Sequence, residues 1–382
     1  MLNGEELLFL KNEIYEERKP SVNGDIIHVR VKRYNGYINS VSIIRLISDL
    51  RFILRNKQNS NIKIVLDFDK TCFQDKLVYI LCECICSVLV EIYNINVLVN
   101  MDLRSNIITY GLKDTCMQYL GKNQDYLGFV QFFNGKINDT HYRRTIDLQY
   151  VMLDNYLGKI MEEVANFLTG AGVDKDAADD LSEVVSELAG NAYEHTSAEC
   201  LVDIDVAPSF YNNENNVKCY GINVVVLNFS NKLLGDGIKR KISENNLVNG
   251  RYKMLAKAYE KHSIYFDKYY DEDDFYNIMT FQDRISERIN NSIMGGTGLT
   301  CLVNSLCKKS SADKCYVMSG NKVILFKNGY LEYNDDKWLG FNNSNNIFDL
   351  PDRDLICRSA AYFCGVAYNL NFIIDKEEGY CG

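Results

Sequence analysis

Glu187, Asn191 and His195 follow one another at intervals of four in SELAGNAYEHTSAE (186–199), among small and apolar residues. Residues four apart on an α-helix are offset by only about 40°, so the three side chains would form one slanting row over roughly 12 Å. Such a row suits a magnesium–triphosphate site. Mg²⁺ is a hard cation that takes oxygen ligands, and the amide oxygen of Asn191 can serve as one. One turn earlier, the carboxylate of Glu187 is spaced to accept a proton from an attacking water. A solvated polar face is the competing reading of the same residues. Gly190 and Ala189 would keep the helix surface low, so that a ligand can approach, at a cost of about 1 kcal/mol for a mid-helix glycine.

A second stretch, IMGGTGLTCLVNSL (293–306), sets Gly295, Gly296 and Gly298, with Thr297 between them, before an amphipathic helix led by Leu299. Glycines let backbone approach an anion, and a helix N-terminus offers free N–H groups and partial positive charge. A dinucleotide fold would want a strand before the glycines, but ERINNSIMGG is polar. A P-loop would want Gly-Lys-Ser/Thr, and here Leu299 and Thr300 follow Gly298.

The two stretches together, E-x-x-x-N-x-x-x-H and then G-G-x-G-L about a hundred residues on, resemble the GHKL superfamily of ATP-binding domains. That superfamily includes gyrase, histidine kinases and anti-sigma serine kinases. The likeness runs from about Tyr150 to Asp375 and includes the order helix, strands, long lid, glycine box, helix, strands. It implies ATP and Mg²⁺ as cofactors, Glu187 as general base and Asn191 as the Mg²⁺ ligand. His195 matches the basic or polar position ending the motif. Gly295, Gly296, Thr297, Gly298 and Leu299 match the glycine box that holds the phosphates. The family's aspartate for the adenine amino group, in D-x-G-x-G, is replaced by Asn228 in VVVLNFSNKLLGDG. Asparagine can accept that hydrogen bond without bringing a charge; otherwise Asn228 is a turn residue ending a strand. The lid would span about 233–294, twice the length of a simple loop. Within it Tyr269, Tyr270 and Tyr276 are expected to pack on the lid's own core, and Asp271–Asp274 to form a solvated acidic turn rather than a metal site.

These motifs need an α/β scaffold. Residues 141–382 are expected to form a two-layer α/β sandwich, with helices on one face of a mixed sheet. Residues 1–140 alternate strand and helix signals, as in DIIHVRVKR (25–33), VSIIRLISDLRFIL (41–54) and IKIVLDF (62–68), and read as a small α/β domain. Its strand–turn–helix order resembles, more weakly, the antagonist domains that partner anti-sigma kinases. That likeness makes Thr71 or Ser87 a candidate phosphorylation site and the domain itself a candidate partner. IVLDFDKT (64–71) also resembles haloacid-dehalogenase-type phosphatases, with Asp67 as nucleophile and Asp69 as acid/base. The later motifs of those enzymes are not evident.

Composition narrows the classes. A net charge of −9 argues against a nucleic-acid groove. The densest basic run, Lys239–Arg240–Lys241, reads as a surface turn. Thirteen cysteines, an odd number, behind a start that does not read as a signal peptide suggest a reduced, cytoplasmic protein. Cys82, Cys84 and Cys86 lie in KLVYILCECICSVLVEIY, an apolar run broken by Glu83, and read as core thiols rather than a zinc site. No run is long enough to span a bilayer. Three functions therefore compete in the C-terminal region: an ATPase or nucleotide-operated switch, a serine kinase acting on a protein partner, and a non-catalytic interaction module. A histidine kinase would need a phospho-accepting histidine on a long helical hairpin; His28 lies in a strand pattern, and His141, in NDTHYRRT, lacks the long flanking heptads.

Overall fold

In the computed structural model, residues 21–56, 62–68, 72–101, 106–107, 115–153, 155–196, 198–211, 218–244, 250–283, 285, 298–309 and 315–376 are described. The first unit comprises β1 (Ser21–Asn23), β2 (Ile26–Val31), α1 (Ser40–Arg55), β3 (Lys63–Phe68), β4 (Cys72–Phe73), α2 (Lys76–Ser87), β5 (Asn96–Asn100) and β6 (Asn106–Ile107). Strands β2, β3 and β5 run parallel, joined by the crossover helices, and β1 pairs antiparallel on the β2 edge. A short parallel pair, β4–β6, stands apart. Asn39 starts α1 through a capping box with Ser42, and Asp75 caps α2 by accepting from the Val78 N–H. Beyond α2 the chain makes a π-helical turn, Val88–Ile92.

A 3₁₀ turn, Cys116–Leu120, and α3 (Tyr126–Asn134) lead into the larger unit. It continues through β7 (Gly135–Ile137), β8 (His141–Ile146), α4 (Leu148–Val151), α5 (Tyr156–Gly170), α6 (Lys175–Thr196), β9 (Cys200–Tyr211) and β10 (Lys218–Phe229). Then follow α7 (Asp236–Ser243), α8 (Gly250–Ser263), α9 (Glu272–Met279), α10 (Gly298–Lys309), β11 (Cys315–Phe326) and β12 (Ile356–Asp375). Six strands form one sheet in the order β11-β12-β10-β9-β8-β7, and every pairing is antiparallel. The α+β class matches the expectation. The large sheet is uniformly antiparallel rather than mixed, and the parallel pairing belongs to the first unit.

Alternation along the strands explains the layers. Cys200, Val202, Ile204 and Val206 of β9, with Ile222, Val224 and Val226 of β10, face the core made by α5, α6 and α10. Leu201, Val225, Leu227 and Phe229 point the other way, into the core of the first unit. That second face is covered by α1, which lies against β2 and β12, and by α2, which lies against β10 and β12. The chain is thus layered sheet, helices, sheet, helices. All 12 residues of α2 are buried, including Lys76 and Glu83. A helix apolar on all sides needs cover on all sides, and two sheets supply it. The hairpin β7–β8 straddles residue 140, so the large sheet begins before the expected division.

The segment expected as a lid contains three helices, α7, α8 and α9, with their own aromatic core around Tyr259, Phe275 and Tyr276. Asp271 caps α9, and the buried Asp274 accepts from Arg358 Nη1 at 2.9 Å while Lys322 faces both acids. This tetrad is neither a solvated turn nor a metal site. It fastens the helical insert to β11 and β12. Among the described residues no helix is long and apolar enough to cross a membrane.

Candidate functional site

Helix α6 buries Leu181, Val184, Val185, Leu188 and Ala189 against the sheet. Glu187 and Asn191 lie half-buried at the margin of that stripe. The side chain of His195 falls outside the described residues, as do Gly295, Gly296 and Thr297. Gly190 does not hold space open for a ligand. A Cβ there would meet Leu157 Cδ2 of α5 at 3.1 Å, so the glycine admits the neighbouring helix. Ser186 Oγ, donating to the Leu157 carbonyl at 3.0 Å, fixes the same crossing.

Helix α10 begins at Gly298 and packs against α6 and β12. Leu302, Val303 and Leu306 are buried, while Leu299 and Cys301 sit partly buried on the same core. Leu299 is therefore a packing residue. Burial and the carboxylates of Glu183, Asp180 and Glu187 push the Cys301 thiol up to about 12. The first turn of α10 thus lies beside the acidic row of α6. Asp180, Glu183, Glu187 and Asn191 share one helix face and offer hard oxygen donors, while the N-terminal end of α10 favours anions. Oxygen donors of this kind are those that Mg²⁺ takes.

Asn228, near the end of β10, is already engaged. It is 1% exposed, its Nδ2 donates to the Ala192 carbonyl at 3.2 Å, and its Oδ1 accepts from the Val366 N–H at 3.0 Å. Opposite it, Gly365 adopts φ +113°, and a Cβ there would collide with the Asn228 carbonyl oxygen. Asn228 therefore ties the end of α6 to β12.

In the first unit, Asp67 accepts from Asn100 Nδ2 at 3.1 Å and lies 2.9 Å from His28 Nδ1. Asp69 and Thr71 lie outside the described residues. Ser87 is buried and donates to Glu91 at 2.6 Å, which shields it from a modifying enzyme. Cys82, Cys84 and Cys86 are buried free thiols, raised by desolvation, as expected of core residues.

A second constellation lies between α2 and the large sheet. Register places Arg143 opposite Asp203, and His141 opposite Asp205, on adjacent strands. Lys76 Nζ of α2 enters between the two acids, 2.6 Å from Asp203 Oδ1 and 2.8 Å from Asp205 Oδ2. His141 Nε2 lies 3.0 Å from Asp203 Oδ2, and Arg143 Nη1 donates to Glu83 Oε2 at 2.6 Å. Glu83 Oε1 also accepts from Thr115 Oγ1 and the Cys116 N–H. Burial alone would lower Lys76, but Asp203 and Asp205 raise it on balance. Burial alone would raise Asp203, but Lys76, His141 and Arg143 hold it far below the usual carboxylate range.

His141, Asp203 and Asp205 are close enough together to suggest a metal site. The ammonium of Lys76 already fills the cation position between the carboxylates, so the cluster is complete without a metal. In the sequence Glu83 reads only as a break in an apolar run and His141 as an unflanked histidine, while Lys76, Arg143, Asp203 and Asp205 do not stand out. Their trace was two acids in alternate positions of CLVDIDVA, and Glu83 within an apolar helix. No family model, curated protein or solved structure matches this chain.

Proposed function

We propose that residues 141–382 form a Mg²⁺-dependent ATP-binding unit of the GHKL type, working as an ATPase or nucleotide-operated switch on a protein partner in the cytoplasm. The observation that carries this reading is the packing of α10, which starts at Gly298, against α6, with Cys301 beside the carboxylates of Glu183, Asp180 and Glu187. In this reading Asn191 holds Mg²⁺, Glu187 orients and deprotonates water, and the glycine stretch 295–298 with the start of α10 receives phosphate. The magnesium ion supplies charge neutralisation of the triphosphate.

A second reading, a non-catalytic interaction module, draws support from Asn228. Its donor and acceptor are both engaged inside the protein, which weakens the case for a base-reading residue. Calorimetry of the full chain with Mg-ATP, Mg-ADP and Mg-GTP separates the two. Saturable heat with ATP supports the first; no heat with any nucleotide leaves the second.

A further inference from the structure

The buried cluster holds three acids, Glu83, Asp203 and Asp205, against two permanent cations, Lys76 and Arg143, all at most 5% exposed. With all three carboxylates ionised, formal charge is balanced when His141, 2% exposed, carries a proton. The geometry agrees. Nε2 is directed at Asp203, and Nδ1 has no hydrogen-bond partner but lies 3.7 Å from Asp205 Oδ1. Two carboxylates flank the ring, one at each nitrogen, which suits an imidazolium with two N–H donors.

Every neighbouring element contributes to this balance. Helix α2 presents Lys76, Glu83 and the thiol of Cys84; β8 presents Arg143; β9 presents Asp203 and Asp205; the 3₁₀ turn presents Cys116. Helix α3 presents the Phe132 ring to His141 in a T-shaped contact, 5.4 Å between centroids, and the Phe133 ring to Arg143, while Lys136 of β7 lies 5.8 Å from the Phe132 centroid. Helix α2 also presents the buried Tyr79 hydroxyl beside Glu83, which burial raises.

We infer that His141 is a pH-operated interlock between the first unit and the large sheet. With its proton the cluster is neutral and α2 stays seated; without it an uncompensated negative charge is buried and α2 loosens. Burial pulls the imidazole down, Asp203 and Asp205 pull it up, and the net direction is upward, so the release lies on the alkaline side. The sign follows from linkage. A group whose folded value is raised contributes stability that is complete below its unfolded value, near 6.5, and is lost as pH rises through the folded value.

Two measurements on the full chain test this. In a histidine proton-resonance titration, with His141 identified by its absence in His141→Gln, its midpoint should lie above the ordinary value near 6.5. Amide exchange of 76–87, corrected for the intrinsic pH dependence, should lose protection about tenfold or more as pH passes that midpoint. In Asp205→Asn a neutral imidazole is already balanced, so the midpoint should fall by about one unit or more and the alkaline loss should vanish. A midpoint at or below 6.5, pH-independent protection in the wild type, or an unchanged alkaline loss in Asp205→Asn would overturn the inference. If Asp205→Asn does not fold, the two wild-type measurements still decide it.

Discussion

Arg143 Nη1 lies 2.6 Å from Glu83 Oε2, and neither side chain is exposed to any degree. One sits on the large sheet and the other on α2, so the contact joins the two units through a dry ion pair. Buried pairs add little net stability against a well-packed apolar substitute, but removing one partner strands a charge. Glu83→Ala is therefore expected to cost about 3–5 kcal/mol in chemical denaturation, whereas Glu83→Leu with Arg143→Met is expected to recover most of it. Equal losses in the single and double variants would show that packing, not charge, holds this contact.

Asn228→Asp tests the strap against the base reader. The substitution supplies the carboxylate that the GHKL resemblance calls for, but turns an oxygen toward the Ala192 carbonyl in a 1% exposed site. The strap reading expects a loss of about 2–4 kcal/mol at neutral pH, because a buried carboxylate is left facing an acceptor. The buried group should titrate above its unfolded value near 3.9, so the variant recovers stability as pH falls toward 4. Tighter ATP binding with unchanged stability would point instead to adenine recognition.

At Gly190 the question is what occupies the surface of α6. Leu157 does, and its methyl carbons would lie at 3.1 and 3.3 Å from a new Cβ. Alanine gains about 1 kcal/mol of helix propensity and spends it on displacing a flexible side chain, so Gly190→Ala should be near neutral. Gly190→Leu should cost about 1–3 kcal/mol by overpacking, read from the thermal midpoint. Full stability in Gly190→Leu would reopen a role for this glycine in ligand approach.

What was legible in the sequence, and what was not, follows from the range of the signal. The helical period of VSIIRLISDLRFIL and the apolar run of IKIVLDF depend on local burial, and α1 and β3 fall where those patterns lie. The E-x-x-x-N row and the helix after the glycines were also readable, since capping and amphipathicity are local. The first half of β12 escaped because ICRSAAYFCGVAY mixes Arg358, Ser359 and Gly365 into the strand, and the arginine and the glycine are explained by distant partners. Arg358 meets Asp274, and Gly365 meets Asn228. The β7–β8 hairpin escaped for the same reason: Arg143 and His141 look like surface residues until Glu83 and Asp203 arrive from other elements. Charge neutralised across elements leaves no periodic trace.

His262 should act on the acid side, opposite to His141. It is 1% exposed, with Nδ1 2.6 Å from the Tyr270 hydroxyl and Nε2 2.9 Å from the Ile347 carbonyl. The Tyr270 hydroxyl donates to Nδ1 and Nε2–H donates to the carbonyl, which selects the neutral ring. Burial is the largest cause of its lowered value. A histidine depressed in the fold contributes stability that is full above its unfolded value near 6.5 and declines as pH falls below it. Unfolding free energy measured from pH 8 to pH 5 should fall, and His262→Gln should flatten that fall while lowering the plateau. An unchanged slope in the variant would assign the acid limb elsewhere.

The nucleotide proposal makes its sharpest demand on two residues one turn apart. Asn191→Ala removes an oxygen ligand from Mg²⁺ and is expected to abolish the calorimetric signal with Mg-ATP. Glu187→Gln keeps shape and hydrogen bonding but cannot take a proton, so ATP should still bind while phosphate release slows by about 10²-fold or more. This split is informative because both residues are half-buried on the same helix face, and a merely structural role would move binding and turnover together. Thermal midpoints within about 2 °C of wild type in both variants would confirm that the fold is intact. Should both retain binding and turnover at wild-type levels, the row on α6 is a solvated helix face and the interaction-module reading takes its place.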